Sequence, residues 1–268
     1  MLPTRTRVRK SIAARFSAAA DTYDNHAAVQ SRTASQLINL LAAKLSAKSI
    51  LEIGCGTGIL TKKLAKRFPF ARICATDISD GMIRHAREHF KPPKNISWLT
   101  GDFRESRNLG TFDLVISSSA LHWITPLSRT FRKISALISK DGTLAFGIML
   151  KGTLAEVHTA RRKVVPSKKA RKQLLPENKV LTLLKASGLT ILKKHRAIYR
   201  NVFKSGRLLL RSLHEQGVTS GPFASGQTPL NRRELEKLVS YYDKHYKCTD
   251  GVYATYKVLF VLATRKTL

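Results

Sequence analysis

The sequence predicts an α/β protein built on a doubly wound, mostly parallel sheet of seven strands. Short apolar runs alternate with helical patterns from Ser49 to Met149, which is the texture of βαβ units. A glycine-rich turn, Gly54-Cys55-Gly56-Thr57-Gly58, leads from the first run into a helix. Acids then follow the second and third runs, at the carboxyl ends of strands where open α/β sheets bind ligands.

The elements are expected in the following order. Val8, Ile12 and Phe16 recur at helical spacing, and the polar-aromatic stretch Asp21–His26 separates them from a second amphipathic helix over Val29–Leu45. Strands are expected at Ser49–Ile53, Arg72–Thr76, Ile96–Thr100, Phe112–Ser117 and Thr143–Met149. Helices are expected at Ile59–Arg67, Met82–Phe90 and Leu127–Ile138. Asp141-Gly142 reads as the helix stop before the fifth strand. Beyond Leu150, helices are expected over Thr153–Val165, Asn178–Ala186, Gly206–Gln216 and Asn231–Tyr246. The last two are separated by the loop Gly217–Pro229. Strands at Ile191–Tyr199 and Tyr253–Arg265, the latter rich in β-branched and aromatic residues, complete the seven.

The charge balance is extreme. Against 17 Asp and Glu stand 48 Lys and Arg, a net +31. Such an excess attracts a polyanion: nucleic acid, an anionic membrane surface or an acidic protein. Between Arg161 and Arg211 sixteen Lys and Arg accompany one acid, Glu177, so the excess is concentrated there. The arm Met1–Arg15 is also basic and acid-free. Its composition suits a transit peptide, but Phe16–Gln30 already reads as part of the mature fold. No run reaches the roughly 18 apolar residues of a membrane span. Three cysteines without C-x-x-C spacing argue against a disulfide framework or zinc site; no metal is expected, and a reducing, cytoplasmic setting is.

The glycine spacing is G-x-G-x-G, not the dinucleotide G-x-G-x-x-G. Glycines at 54, 56 and 58 permit a tight turn and close approach of a ligand, and N–H groups at the following helix end face it. Glu52, inside the strand below the loop, suits an ammonium or ribose-bearing ligand better than a pyrophosphate. Asp77, nineteen residues beyond Gly58, is placed to accept ribose hydroxyls. Gly101-Asp102-Phe103 supplies a carboxylate and an aromatic face for an adenine, although Asp102 would serve equally as a helix N-cap.

These three elements together resemble the class I S-adenosylmethionine-dependent methyltransferases, whose fold is Rossmann-like. The resemblance implies that Glu52, Gly54, Gly56 and Gly58 hold the methionyl end of S-adenosylmethionine, with Asp77 at the ribose, Asp102 with Gly101 and Phe103 at the adenine, and the stretch from Ser117 bordering the sulfonium. Cys55, Ile78 and Met82 are further expected cofactor contacts. The chain lacks the Asn/Asp-Pro-Pro-Tyr/Phe run of amino-adenine methylases. None of Cys55, Cys74 and Cys248 is placed as the nucleophile of cytosine C5 methylation. The segment Ser119-Ala120-Leu121-His122-Trp123 looks like the small-molecule branch.

Within that branch the flanks resemble the malonyl-acyl-carrier-protein O-methyltransferases of biotin synthesis. The matching stretches are Phe16-Ser-Ala-Ala-Ala-Asp-Thr-Tyr23-Asp-Asn-His26-Ala-Ala-Val-Gln30, Lys151–Val157, Leu230–Leu235 and Tyr253–Phe260. Lys151 and the basic run Arg161–Lys172 depart from the pattern. The resemblance implies an N-terminal helical lid over 1–48, an S-adenosylmethionine-binding core over 49–150, and a basic helical cap with the closing strands over 151–268. It implies a malonyl thioester on acidic acyl carrier protein as substrate and partner; RNA is the alternative polyanion. Tyr23, His26 and His122 are the candidate catalytic residues. Tyr23 could instead be a helix-end packing residue, and His122 a structural histidine beside Trp123. A Lys or Arg within 151–211 is expected to hold the substrate carboxylate.

Overall fold

A computed structural model of the chain describes residues 5–91, 93–106, 108–168, 174–218 and 229–265. Helices α1 (Arg5–His26) and α2 (Ala28–Leu40) precede β1 (Ser49–Ile53), α3 (Ile59–Arg67), β2 (Arg72–Asp77), α4 (Asp80–Phe90), β3 (Ile96–Thr100) and β4 (Phe112–Ser118). Then come α5 (Leu127–Leu137), β5 (Ile138–Met149), α6 (Ala155–Val164), α7 (Glu177–Lys185), β6 (Leu189–Phe203), α8 (Gly206–Glu215), α9 (Arg232–His245), β7 (Lys247–Cys248) and β8 (Gly251–Arg265).

The sheet runs in the order β3-β2-β1-β4-β5-β8-β6. The first five strands are mutually parallel, and β8 is antiparallel to both β5 and β6. The seven expected strands are present, and two-residue β7 adds a short eighth beside β8. The order reverses between β1 and β4, so the loops after these strands diverge and open a crevice at their carboxyl ends. One face of the sheet packs Leu37, Leu64, Ala75 and Phe260. The other packs Phe131, Ile134, Phe146, Val180 and Leu184 from α5, β5 and α7.

Three local expectations give way. Asp21–His26 is not a break between two helices; it forms the last turns of one continuous α1. No Gly or Pro occurs from residue 4 to 53, and Thr22 settles into the helix by donating to the Ala19 carbonyl at 3.3 Å. Asp141-Gly142 does not stop α5, which ends at Leu137; the pair lies inside β5. There Gly142 passes so close to β4 that an added Cβ would sit 2.8 Å from the Phe112 carbonyl oxygen, and the pairing with β4 shifts register between Phe112 and Leu114. Helix α6 begins two residues later than expected, after Leu154 with a φ of 54°. Most of the expected loop Gly217–Pro229, residues 219–228, lies outside the described residues, as do 169–173 of the basic run.

Caps explain the helices that frame the crevice. Ser79 Oγ accepts the Met82 N–H at 3.2 Å and starts α4; Ser205 does the same for α8. Asn231 and Glu234 close a reciprocal capping box on α9.

Candidate active site

The glycine loop is held against the end of β2. The Gly54 and Cys55 N–H groups donate to the Thr76 carbonyl at 2.7 and 3.0 Å. Asp77 accepts the Gly56 N–H at 2.9 Å on one carboxylate oxygen and the Ser79 N–H at 2.8 Å on the other. Burial is the largest influence on Asp77 and raises its pKa despite those two donors. Gly54 has φ +73°, and a Cβ there would lie 2.2 Å from the Ala120 side chain; this turn admits glycine alone. Gly56, at φ +55°, faces open space with nothing within 4 Å of its Cβ position.

Beneath the loop, Glu52 is buried. Thr61 Oγ1 donates to its Oε2 at 2.6 Å, while Oε1 has no hydrogen-bond partner among the described residues. Burial pushes its carboxyl up to about 8, with Asp77 adding repulsion. An acceptor oriented into a cavity without a donor is costly to leave so. It fits a ligand bearing a cation or hydrogen-bond donor.

At the next strand end, burial opposes ionisation of Asp102, but hydrogen bonds from Arg104 and the charges of Arg104 and Arg9 hold its carboxyl below the usual range. Arg104 binds it through Nη2 at 2.6 Å, and Arg9 of α1 approaches to 3.0 Å. Phe103 is buried beside it. Thus the residue expected to contact an exocyclic amine is engaged by two guanidinium groups.

These groups line one cavity of about 1000 Å³, at the top of the roughly 300–1,000 Å³ range of ligand pockets. Of the expected cofactor residues, Glu52, Gly54, Cys55, Gly56, Asp77, Ile78, Met82, Gly101, Asp102 and Phe103 line it. Gly58 does not, but its left-handed φ of +87° starts α3. Ser117 does not either: its hydroxyl donates to the Ile53 carbonyl at 2.8 Å and ties β4 to β1. The next two residues take the expected place, because side chains alternate along a strand and Ser119 turns at φ +56°. Ser118 and Ser119 line the cavity, their hydroxyls buried and without a hydrogen-bond partner among the described residues.

Helix α1 roofs the cavity with Val8, Arg9, Ile12, Phe16 and Tyr23. It is fastened to the loops below: Thr57 Oγ1 donates to Asp24 at 2.5 Å, and the Ser17 and Ser79 hydroxyls lie 2.8 Å apart. Phe16 meets Trp123 edge-on at 5.1 Å. Tyr23 reaches inward, and burial, then Asp77 and Asp24, raise its phenol well above the ordinary value. His26 points elsewhere. Its Nε2 lies 2.6 Å from Glu215 of α8, outside the cavity lining. His122 does line the cavity, and burial pushes its imidazole down to about 3, so it is neutral at pH 7.

The far side of the cavity was not legible beforehand. Gln30 and Gln216 are buried there, and Gln30 Nε2 donates to Gln216 Oε1 at 2.9 Å. Gln216 Nε2 in turn donates to Ser212 at 3.2 Å. The Gln30 side chain also hydrogen-bonds Tyr23. Met149, Leu154, Leu213 and Tyr256 complete this wall. One signal pointed to Gln30: it interrupts the buried stripe Val29, Thr33, Ala34, Leu37 of α2. Gln216, Ser212 and Tyr256 carried no comparable mark. The expected carboxylate-holding cation from 151–211 is absent from the lining among the described residues. The lining cations are Arg9 and Arg104, both committed to Asp102. Among the described residues no cluster of His, Cys, Asp and Glu could hold a metal ion, and no helix is long and apolar enough to cross a membrane.

The family described as "Methyltransferase domain" matches residues 50–142, the span that carries β1 to β4 and their loops. The malonyl-[acyl-carrier protein] O-methyltransferase of Acetivibrio thermocellus is 32% identical, with 96% of this chain and 94% of that protein aligned. The chain belongs to the malonyl-[acyl-carrier protein] O-methyltransferase family. The family member from Geobacter sulfurreducens is 28% identical over 96% of this chain and 99% of its own length. Among solved structures, the N-methyltransferase NodS of Bradyrhizobium japonicum, in complex with S-adenosyl-L-homocysteine, shares the fold. Its TM-score is 0.52 at 18% identity, covering 88% of this chain and 87% of that one. YcgJ of Bacillus subtilis matches with a TM-score of 0.58 at 14% identity, over 88% and 99%.

Proposed function

We propose that this member of the family transfers a methyl group from S-adenosylmethionine to the free carboxyl of a malonyl thioester on acyl carrier protein, the step that belongs to biotin synthesis. S-adenosylmethionine supplies an electrophilic sulfonium methyl. Glu52, with its unpartnered oxygen, and the open cradle at Gly56 are suited to its methionyl end, together with Gly54, Cys55 and Gly58. Asp77, Ile78 and Met82 form the ribose wall, and Gly101, Phe103 and the Arg-anchored Asp102 the adenine wall.

The observation that carries the acceptor assignment is the acceptor side itself, which among the described residues offers hydrogen-bond donors but no base matched to neutral pH. A carboxyl with an ordinary pKa near 4 is already ionised at pH 7. Its oxygen needs alignment and exclusion of water, not deprotonation. Tyr23, whose pKa is raised, keeps its proton and can donate a hydrogen bond. Gln30 donates to the phenol oxygen, so the Tyr23 O–H remains available for an acceptor. The Ser118 and Ser119 hydroxyls are further donors. His122, neutral and acidic when charged, shapes the pocket. His26 acts at one remove, fastening α1 to α8 through Glu215.

The test is formation of a base-labile methyl ester from labelled S-adenosylmethionine and malonyl carrier protein, with bulk RNA as the competing acceptor. Ester on the carrier protein is expected. Label in RNA alone would favour the second reading, an RNA methyltransferase, for which the net charge of +31 speaks.

A further inference from the structure

Strand β6 is the outer edge of the sheet; on one of its faces α7 covers the first part, with Glu177 beside Lys194 and Arg196, while the stretch from Ile198 to Val202 is open among the described residues. Lys194, Arg196, Ile198, Arg200 and Val202 alternate along β6 and are all exposed, Ile198 by 66% and Val202 by 45%. Residues directly opposite in an antiparallel pair share a face. Ile198 stands opposite Lys257 of β8, Arg200 opposite Thr255 and Val202 opposite Tyr253. Arg200 stacks on the Tyr253 ring at 4.9 Å, which confirms that these side chains share one side. Lys194 and Arg196 are paired with Glu177. No carboxylate among the described residues pairs with Arg200, Lys257 or Lys151.

This patch is joined to the cavity by a short run of contacts. The Lys257 side chain lies against Gly152, 3.1 Å from where its Cβ would be. The Lys257 carbonyl accepts the Leu150 N–H at 2.8 Å, and the Lys151 N–H donates to Leu175 at 3.0 Å. Leu175 is a wall of the cavity and is itself part-exposed. Ile198 is therefore one strand spacing, about 4.8 Å, from Lys257. That lysine packs on Gly152 and is hydrogen-bonded to Leu150, next to the Lys151 that meets Leu175 at the cavity. Cations on an exposed edge strand already guard it against edge-to-edge pairing, but the exposed aliphatic Ile198 and Val202 between them do not serve that end. They suit an interface whose apolar centre is ringed by charge.

We infer that this face, formed by Ile198, Arg200, Val202 and Lys257, is where the acidic carrier protein docks to deliver its thioester past Leu175. The inference rests on the carrier-protein reading above. Cations here meet acids on the carrier, Ile198 and Val202 cover its apolar surface, and the arm bearing the malonyl group enters beside Leu175. Because the charges are exposed, they act chiefly on encounter rate and its salt dependence.

The experiment compares two substrates in one enzyme pair: malonyl carrier protein and the malonyl thioester of N-acetylcysteamine, which has no protein. The variant is Arg200→Glu/Lys257→Glu. Its kcat/KM for the carrier-borne substrate should fall at least about tenfold, while the free thioester is methylated at the wild-type rate and the melting temperature holds. Added salt should slow wild type on the carrier protein more than the variant. A variant as active as wild type on carrier protein would overturn the inference. So would equal losses on both substrates, or a variant that loses only RNA binding. Ile198→Ser, which leaves every charge in place, should show the same substrate split, and its absence would also count against the patch. If wild type methylates neither substrate, the assignment of function fails instead.

Discussion

The two sides of the cavity are built in opposite ways. The side proposed for the cofactor comes from residues 52–103, on the consecutive β1, β2 and β3 ends, and its glycine loop is held by backbone: Asp77 by the Gly56 and Ser79 N–H groups, Gly54 by the Thr76 carbonyl. The acceptor side joins α1, α2, α8 and β8, with Gln30 and Gln216 meeting across 186 residues of chain. Local construction makes the first side rigid and readable. The second exists only while α1, α2, α8 and β8 are packed together, so it should be more sensitive to side-chain changes remote in sequence.

The contrast is sharpest at the glycine loop. Gly56→Val places a branched side chain in the open cradle at a positive φ, and Asp77→Ala removes two loop contacts and the ribose acceptor. Either should abolish S-adenosylmethionine binding by calorimetry while far-UV circular dichroism stays native. Near-normal affinity in folded Gly56→Val would overturn the cofactor assignment.

A smaller but graded effect is expected from Glu52. Its raised pKa, about 8 against an ordinary 4.5, means the folded protein without ligand binds more protons than the unfolded chain between those values. Stability of the ligand-free protein therefore falls as pH rises from about 4.5 to 8. Binding that needs the carboxylate must drive that proton off. Affinity should weaken as pH drops from about 7.5 to 5.5, by up to about tenfold per unit, with proton release visible when calorimetry is repeated in buffers of different ionisation enthalpy. A flat profile, or unchanged binding in Glu52→Gln, would place the methionyl end elsewhere.

On the acceptor side, Tyr23→Phe keeps the ring and its edge-on contact with Phe16 at 6.3 Å but deletes the hydroxyl. Turnover should fall at least about tenfold, roughly 1.4 kcal/mol, with cofactor affinity and melting temperature near wild type. Wild-type turnover would reduce Tyr23 to a packing role.

The smallest effect is predicted for Gln30→Leu, which strips the donor from Gln216 and from Tyr23. Stability should fall by about 1–3 kcal/mol, the cost of a buried acceptor left unmade. Turnover should fall less than in Tyr23→Phe. In a double-mutant cycle the two losses should not add, because both act through one hydroxyl. Full additivity would separate Gln30 from Tyr23.

The amino-acid sequence alone determined the seven principal strands, the parallel core and the glycine loop and strand-end acids between Glu52 and Phe103 that line the cavity. Each rests on short-range chemistry: alternating apolar runs, glycines where the chain turns left-handed, and acids at successive strand ends. Tertiary structure decided the rest. It placed Ser118 and Ser119, not Ser117, at the cavity, because strand alternation turns Ser117 toward Ile53. It joined Asp21–His26 into a single lid helix, since no breaker interrupts it. It sent His26 to Glu215 and committed Asp102 to Arg104 and Arg9. It kept the cations of 151–211 out of the cavity lining among the described residues and set several on the open face of β6. A side chain's direction depends on which distant element packs beside it, and residue types in order do not encode that by themselves.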